Sequence, residues 1–585
     1  MESKALTDES SLLSLLKQKF QVDSFRPGQL EVIKAILSGK NVLCIMPTGY
    51  GKSLCYQLSS LLLDGVTIVV SPLVALMKDQ VDSLHAHGFS EATFINSSIS
   101  IEEQQSRLKA LTEKKYKLVY ISPERFRSRA FLLALKAVRI SLFVVDESHC
   151  ISQWGHDFRP DYLSLKDAII LLGRPPVAAF TATATPEVRK DIINQLDISS
   201  AFEFLFGINR PNLEFFVFPV AGDEDKLLWI QHLVKSIAGK GIVYAGRRRD
   251  CELICSFLQF IGHRAEYFHA GRNESDKKSI QERFMNDAHP EALDLIIATS
   301  AFGLGIDKAN IRFVIHSAIP GSLEEYFQEA GRGGRDGKRT FCILLYSYDD
   351  RSLQEWFIEN TLTNRTDLIN IFETIRKFPS LGHYRVIPLD DLYWRLKMDE
   401  IKIRVGISHL ERLGYIKRFP DVDTKMHLSF VNCVEPKAIM IEELHRGKKR
   451  LLAAIKEHVH SSAQLELVEF CLKHHFEPLS VIEMLYDLEF AGIIRFRRSQ
   501  RALLLRLEPI SRSLENIPDN QLGLEEFRQH KYDKLDSMLH YADSDICRER
   551  YIRNYFGEQA IDDCGRCDNC RAKKQQKSSQ KKAPA

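Results

Sequence analysis

The chain has 585 residues, 44% of them hydrophobic and 27% charged, with a formal net charge of +3. These proportions exclude a mostly disordered, collagen-like or disulfide-dense protein, and the length suggests about four domains. The charge is uneven: Arg571 to Ala585 holds six basic groups and no acid, so any nucleic-acid path must be a local groove and not a general basic field.

Met1 to Ser10 mixes acids and bases before any apolar stretch and does not read as a signal peptide. The longest charge-free run, Gly65 to Met77, has 13 residues. A membrane span needs roughly 18 to 20, so none is expected. Short β-branched runs then alternate with amphipathic stretches. The first set is Asn41–Ile45, Val66–Val70, Leu118–Ile121, Leu142–Val145 and Pro176–Phe180; the second is Gly241–Tyr244, Leu295–Ala298, Phe313–His316 and Phe341–Leu345. The pattern predicts an α/β chain with two parallel sheets in tandem, each covered on both faces. Domains are expected over 1–208 and 209–348, joined at Asn209-Arg-Pro-Asn212, where proline marks a hinge.

After Tyr348 the pattern is mostly helical. Leu389 to Phe419 and Leu479 to Leu507 each read as a helix, a glycine and two short strands. That is a winged-helix-like pattern, expected over 349–435 and again over 436–510; two helical packing subdomains are the plainer alternative. A cysteine-bearing module follows over 511–572, and the Lys/Gln/Ser-rich tail 573–585 reads as disordered. Eight of the twelve cysteines are scattered through apolar or helical stretches, as buried thiols in a reducing compartment would be. The other four, Cys547, Cys564, Cys567 and Cys570, are spaced C-x16-C-x2-C-x2-C. That spacing suits a closed tetrahedral Zn²⁺ site of structural type; a disulfide pairing fits poorly with reduced thiols elsewhere.

Met46-Pro-Thr-Gly-Tyr-Gly-Lys-Ser53 follows a predicted strand and opens a predicted helix. It resembles a phosphate-binding Walker A loop, with Met46 where the first glycine usually stands. Thr48, Gly49 and Gly51 would shape the cradle, Lys52 would reach the β/γ-phosphates, and Ser53 would help hold Mg²⁺. Phe143-Val-Val-Asp-Glu-Ser-His149 ends a second strand in two acids. Asp146 is the candidate Mg²⁺ ligand and Glu147 the candidate water-polarising base, because paired acids at a strand end are costly without a cation.

Asp-Glu-x-His after such a loop resembles superfamily 2 helicases. Cys150-Ile-Ser-Gln-Trp-Gly-His-Asp-Phe-Arg-Pro160 is similar to the aromatic-rich loop of the RecQ family of ATP-dependent DNA helicases. Phe25–Gln29, Val70–Gln80, Tyr120–Arg125, Phe180–Thr185, Phe268–Gly271, Ala298–Asp307 and Tyr326–Gly337 match the family's other motifs in order. The resemblance implies two RecA-like motor domains using ATP. It gives Arg26 and Gln29 to adenine, and has the second domain supply Gln328, Arg332 and Arg335 to catalysis, with Arg335 as arginine finger and Arg332 beside it on the γ-phosphate. Trp154, His156, Phe158 and Arg159 would contact single-stranded DNA.

The implied activity is 3′–5′ unwinding of duplex or branched DNA in recombination and repair, by a monomer working with repair or single-strand-binding proteins. The implied location is the cytoplasmic nucleoid in a bacterium or the nucleus in a eukaryote. The alternatives are an RNA helicase, a DNA-stimulated translocase without strand separation, and a DNA-binding module with a decayed ATPase. Ser148, Tyr50, Gly333 and Val22 depart from the usual family residues. In the family the zinc module directly follows the second motor domain, whereas here residues 349–510 intervene. The order of accessory parts is therefore expected to be unusual.

Overall fold

Apolar runs become strands where both faces of the pleat meet a core. In the computed structural model, residues 8–580 are described apart from 97, 128, 156, 304–307, 420, 431–445, 462–463, 491–493, 499 and 510–512. The first sheet holds β1 (Val42–Ile45), β2 (Val66–Val70), β3 (Ala92–Ile95), β4 (Leu118–Ile121), β5 (Ile140–Val145), β6 (Val177–Thr181) and β7 (Phe202–Leu205), in the order β3-β4-β2-β5-β6-β1-β7. All of its pairings are parallel. Alternate residues serve opposite cores: Leu43, Ile45, Phe143 and Val145 enter one, and Val42, Cys44, Leu142 and Val144 the other.

The second sheet holds β8 (Leu213–Pro219), β9 (Lys240–Tyr244), β10 (Ala265–Phe268), β11 (Leu295–Ala298), β12 (Ile311–His316) and β13 (Thr340–Tyr346). It is parallel too, in the order β10-β11-β9-β12-β13-β8. The runs singled out in the sequence are the interior strands of both sheets. The strands they omit, β3, β7, β8 and β10, are the four edges. Glu203, Glu214 and Glu266 interrupt the apolar run in β7, β8 and β10, and β7 also leaves Phe202 and Leu205 half exposed.

The accessory region corrects the expected division at 435/436. It contains β14 (Ser380–Leu381), β15 (Tyr384–Pro388), β16 (Ile416–Arg418), β17 (Val422–Asp423), β18 (Lys425–Phe430), β19 (Gln464–Glu466), β20 (Ile494–Arg498) and β21 (Arg501–Leu507). β21, from the expected second unit, pairs antiparallel with β15, β16 and β17 of the first. β18, from the first, pairs with β19 and β20 of the second. The two winged-helix-like stretches are thus interleaved. Ala502-Leu-Leu-Leu505 explains the exchange. Leu503 and Leu505 fill the core of the first stretch, and Ala502 and Leu504 fill that of the second. A strand buried on both faces reads as a continuous apolar run.

The C-terminal module docks back onto the second motor domain. Leu535, Met538, Leu539, Tyr541, Ile552 and Phe556 share one core with Leu213, Phe215 and Val217 of β8. Asp568 Oδ2 accepts from Val217 N at 3.0 Å, and Arg571 pairs with Glu214 at 2.7 Å. The long insertion separates the module from β13 in sequence but not in space. The tail expected to be disordered from Lys573 is helical through Gln580, as the end of a helix that starts at Asp568. Cys570 is buried in that helix's first turns, and Lys574 donates to Gly565 O. Residues 581–585 and Cys433 lie outside the described residues. Among the described residues no helix is long and apolar enough to cross a membrane.

Candidate functional site

The phosphate loop runs from the end of β1 into the helix Lys52–Leu62, with Gly49 and Gly51 at φ +78° and +92°. Any side chain at Gly51 would be strained and would also strike the Gln29 amide, 2.5 Å from an added Cβ. Lys52 Nζ donates to Met46 O at 3.2 Å; Ser53, in the first turn, and Thr48 are half-buried. Gln29 is expected at adenine. It is 2% exposed, its Oε1 accepts from Arg26 N, and its Nε2 donates to Tyr50 O and Gly51 O at 3.0 and 3.3 Å. Its amide therefore props the phosphate loop from behind. Arg26 is exposed, bonds Gly49 O and lies 5.7 Å from the Tyr50 ring centre. The unusual Tyr50 thus backs the arginine expected at adenine.

Asp146 continues β5, its N–H bonding Val70 O at 2.8 Å. Burial pushes its carboxyl well above the ordinary range; the Glu147 charge adds to this and Lys52 opposes it. Glu147 adopts φ +46°, a left-handed backbone that costs a non-glycine residue on the order of 1 kcal/mol or more. Its N–H donates to Asp146 Oδ1 at 3.0 Å, and its carboxylate comes to 3.5 Å from His149 Nδ1. His149 is buried, with its pKa pushed down to about 4, so it is neutral near pH 7. Thr181 Oγ1 donates to Thr183 O at 3.2 Å and so accepts from His149 Nδ1–H at 2.8 Å. Thr181, in the expected Phe180–Thr185 motif, thus orients the histidine beside the two acids.

The second domain supplies the opposite wall. Helix Leu323–Ala330 carries half-buried Gln328 and leads into Arg332 and Arg335. Arg332 is 4% exposed. It lies beside Tyr244, whose ring stacks on His316, and His316 bonds Glu329 at 2.9 Å. Arg335 reaches the phosphate loop: a Cβ on Gly49 would lie 3.6 Å from its Cγ.

One residue here carried no expected role. Arg210, in the linker, donates to Thr48 O (3.3 Å) in the first domain and to Gly331, Gly333 and Gly334 carbonyls (3.3, 2.9 and 3.1 Å) in the second. Among the described residues no carboxylate pairs with it. Only the proline beside it marked the position in the sequence.

The aromatic-rich loop lies against the accessory parts. Trp154 is half-buried, its ring 5.1 Å edge-to-face from His530. Its carbonyl accepts from His530 Nε2 at 3.1 Å and Lys534 Nζ at 2.6 Å. Arg159 pairs with Asp157 at 3.0 Å and donates to Pro72 O. Phe158 lines a cavity of about 640 Å³ with Phe419, Arg412, Lys417 and Phe527. His156 lies outside the described residues.

The Sγ atoms of Cys547, Cys564, Cys567 and Cys570 all lie within 4.8 Å of one another, and Cys564 and Cys570 are 4.0 Å apart. Four sulfurs at about 2.3 Å from one zinc ion stand about 3.8 Å apart, so the set fits the metal. Backbone N–H groups of Cys564, Arg566, Cys567 and Cys570 point at these sulfurs, which favours thiolates.

Comparison with known proteins adds three family matches: a DEAD/DEAH box helicase domain over residues 26–192, a helicase conserved C-terminal domain over 225–337, and a RecQ zinc-binding domain over 511–571. The chain is 37% identical to the probable ATP-dependent DNA helicase RecS of Bacillus subtilis over 438 residues, covering 75% of this chain and 85% of the relative. It is 45% identical to the ATP-dependent DNA helicase RecQ of the same organism over 351 residues, covering 60% of this chain and 58% of the relative. Among solved structures, the DUF1998 helicase MrfA bound to DNA is 18% identical with a TM-score of 0.50, covering 70% of this chain and 61% of that one. This last likeness concerns the fold alone.

Proposed function

Because this chain belongs to the RecQ family of superfamily 2 helicases and is an ATP-hydrolysing helicase, we propose that it unwinds DNA by moving 3′ to 5′ along one strand. In this reading Lys52 binds the β/γ-phosphates, and Ser53 and Asp146 hold Mg²⁺. Glu147 polarises the attacking water, and Gln328, Arg332 and Arg335 meet the γ-phosphate across the cleft. Such an arginine finger is worth on the order of 10³ to 10⁵ in rate, so hydrolysis would require closure of the two domains. Arg26 and Gln29 take adenine, and Gln29 also braces the phosphate loop. Trp154, His156, Phe158 and Arg159 engage single-stranded DNA. Zinc has a structural role.

The observation that carries this reading is the approach of Arg335 to Gly49 across the cleft that holds Lys52 and Asp146. Stacking one base on an aromatic ring is worth about 1 to 3 kcal/mol, and opening one base step costs about 1.4 kcal/mol. Stacking alone therefore offsets about one step, and repeated hydrolysis must drive the rest. The setting is recombination and repair of branched or broken DNA, by a monomer at the chromosome.

The test is ATP turnover without nucleic acid, with single-stranded DNA and with single-stranded RNA, followed by unwinding of duplexes with a 3′ or a 5′ tail. Stimulation by DNA and unwinding of the 3′-tailed duplex are expected. Equal stimulation by RNA would move the substrate to RNA, and turnover indifferent to both would overturn the reading.

A further inference from the structure

We propose that Lys534 is a positioning residue that transmits the state of the Trp154 loop to the helix Leu323–Ala330, which leads into Arg332 and Arg335; this rests on the helicase reading above. The C-terminal module touches both motor domains through its helix Leu524–Asp543. Lys534 is 5% exposed, and its ammonium faces two acceptors in different domains. One is Trp154 O of the first domain at 2.6 Å; the other is Glu324 Oε1 of the second at 2.8 Å. Glu324 sits in the first turn of Leu323–Ala330, where the helix dipole favours an acid. Its second oxygen accepts from Tyr555 Oη of the same C-terminal module at 2.9 Å. Lys531 lies in the same field, its pKa lowered mainly by burial and next by Lys534, with Glu324, Glu325 and Asp157 opposing.

Burial makes the bridge informative. A buried ion pair adds little net stability over apolar residues of similar shape, and breaking one half is strongly unfavourable. Trp154 O therefore cannot leave Lys534 without changing the solvation and balance of the Lys534–Glu324 pair. Glu324 begins the helix that delivers both arginines to the phosphate loop. A base that displaces the Trp154 loop thus acts, through one ammonium group, on the helix that precedes the two arginines.

Lys534→Met alone leaves Glu324 buried and uncompensated, so the informative variant is Lys534→Met with Glu324→Gln. It removes both charges, keeps an acceptor for Tyr555, and leaves His530 to satisfy Trp154 O. In the full-length zinc-loaded protein, the ratio of DNA-saturated to DNA-free ATP turnover should fall about tenfold, within the range for residues that carry coupling. Affinity for a fluorescent single-stranded oligonucleotide should stay within about threefold. An unchanged ratio in the double variant overturns the proposal. So does a loss confined to oligonucleotide affinity, which would make Lys534 a DNA contact. Wild-type turnover that ignores DNA would overturn the underlying helicase reading instead, and the coupling with it.

Discussion

At the scale of single residues, the site is built from groups whose roles differ by what they touch. Lys52→Ala should abolish ATP turnover and leave single-stranded DNA affinity within a few-fold; retained turnover would remove Lys52 from the phosphate site. Arg210 holds Thr48 and the Gly331–Gly334 turn together through backbone carbonyls alone. Misplacement of reacting groups by about 1 Å can cost on the order of 100-fold, so Arg210→Ala should lower kcat about tenfold to a hundredfold. Nucleotide affinity should change much less, and Arg210→Lys should not rescue, because an ammonium cannot reproduce the planar fork. Equal loss of kcat and nucleotide affinity would count against this clamp.

Asp146 gives a pH dependence with a definite sign. Its raised pKa means the folded protein binds a proton there more tightly than the unfolded chain does. That contribution to stability is present at low pH and fades as pH rises from the ordinary carboxylate value through the raised one. A cation at Asp146 competes with the same proton. The Mg²⁺ needed for half-maximal turnover should therefore fall between about pH 6 and about pH 7.5. A flat requirement would place Mg²⁺ elsewhere. Lys52, Asp146 and the four terminal cysteines could be singled out in the sequence because the chemistry expected of them needs fixed types at fixed spacing. The loop-propping hydrogen bonds of Gln29 and the contacts of Arg210 could not, since carbonyl acceptors leave no trace in side-chain type.

At the scale of elements, the interior strands were legible because each contains an apolar run without a charged residue. The edges β7, β8 and β10, each broken by a glutamate, were not, and neither was the pairing of the accessory strands. β21 serves two cores at once, so Leu504→Ala should destabilise the accessory region by about 2 to 5 kcal/mol. Chemical unfolding of the full chain should show it as an earlier transition that leaves the motor domains folded. A chain ending at residue 435 lacks β21 and leaves β15 without its main partner. It should expose an open sheet edge and aggregate; a soluble, folded product would restore the division at that point.

At the scale of the whole molecule, the C-terminal module shares a hydrophobic core with β8 and joins the two motor domains. Structural zinc can supply about 10 to 16 kcal/mol of folding free energy. Removing it with a chelator, or by Cys567→Ser, should unfold the module and uncover Leu213, Phe215 and Val217. Binding of an apolar dye should rise, and DNA-stimulated turnover should be lost. Full stimulation without zinc would separate the module from the motor.

The sequence by itself determined the family, the sheet interiors and the cysteine cluster, and it singled out the candidate nucleotide residues. Each rests on local spacing or on burial of both strand faces, and both leave a periodic or positional mark. Only the tertiary structure decided that the accessory strands interleave, that Arg210 spans the cleft, and that a module starting some 165 residues downstream of β13 returns to β8. These depend on contacts between residues far apart in the chain. Loop-closure entropy grows only with the logarithm of the intervening length, so a long insertion can be tolerated without its length revealing where the chain comes back.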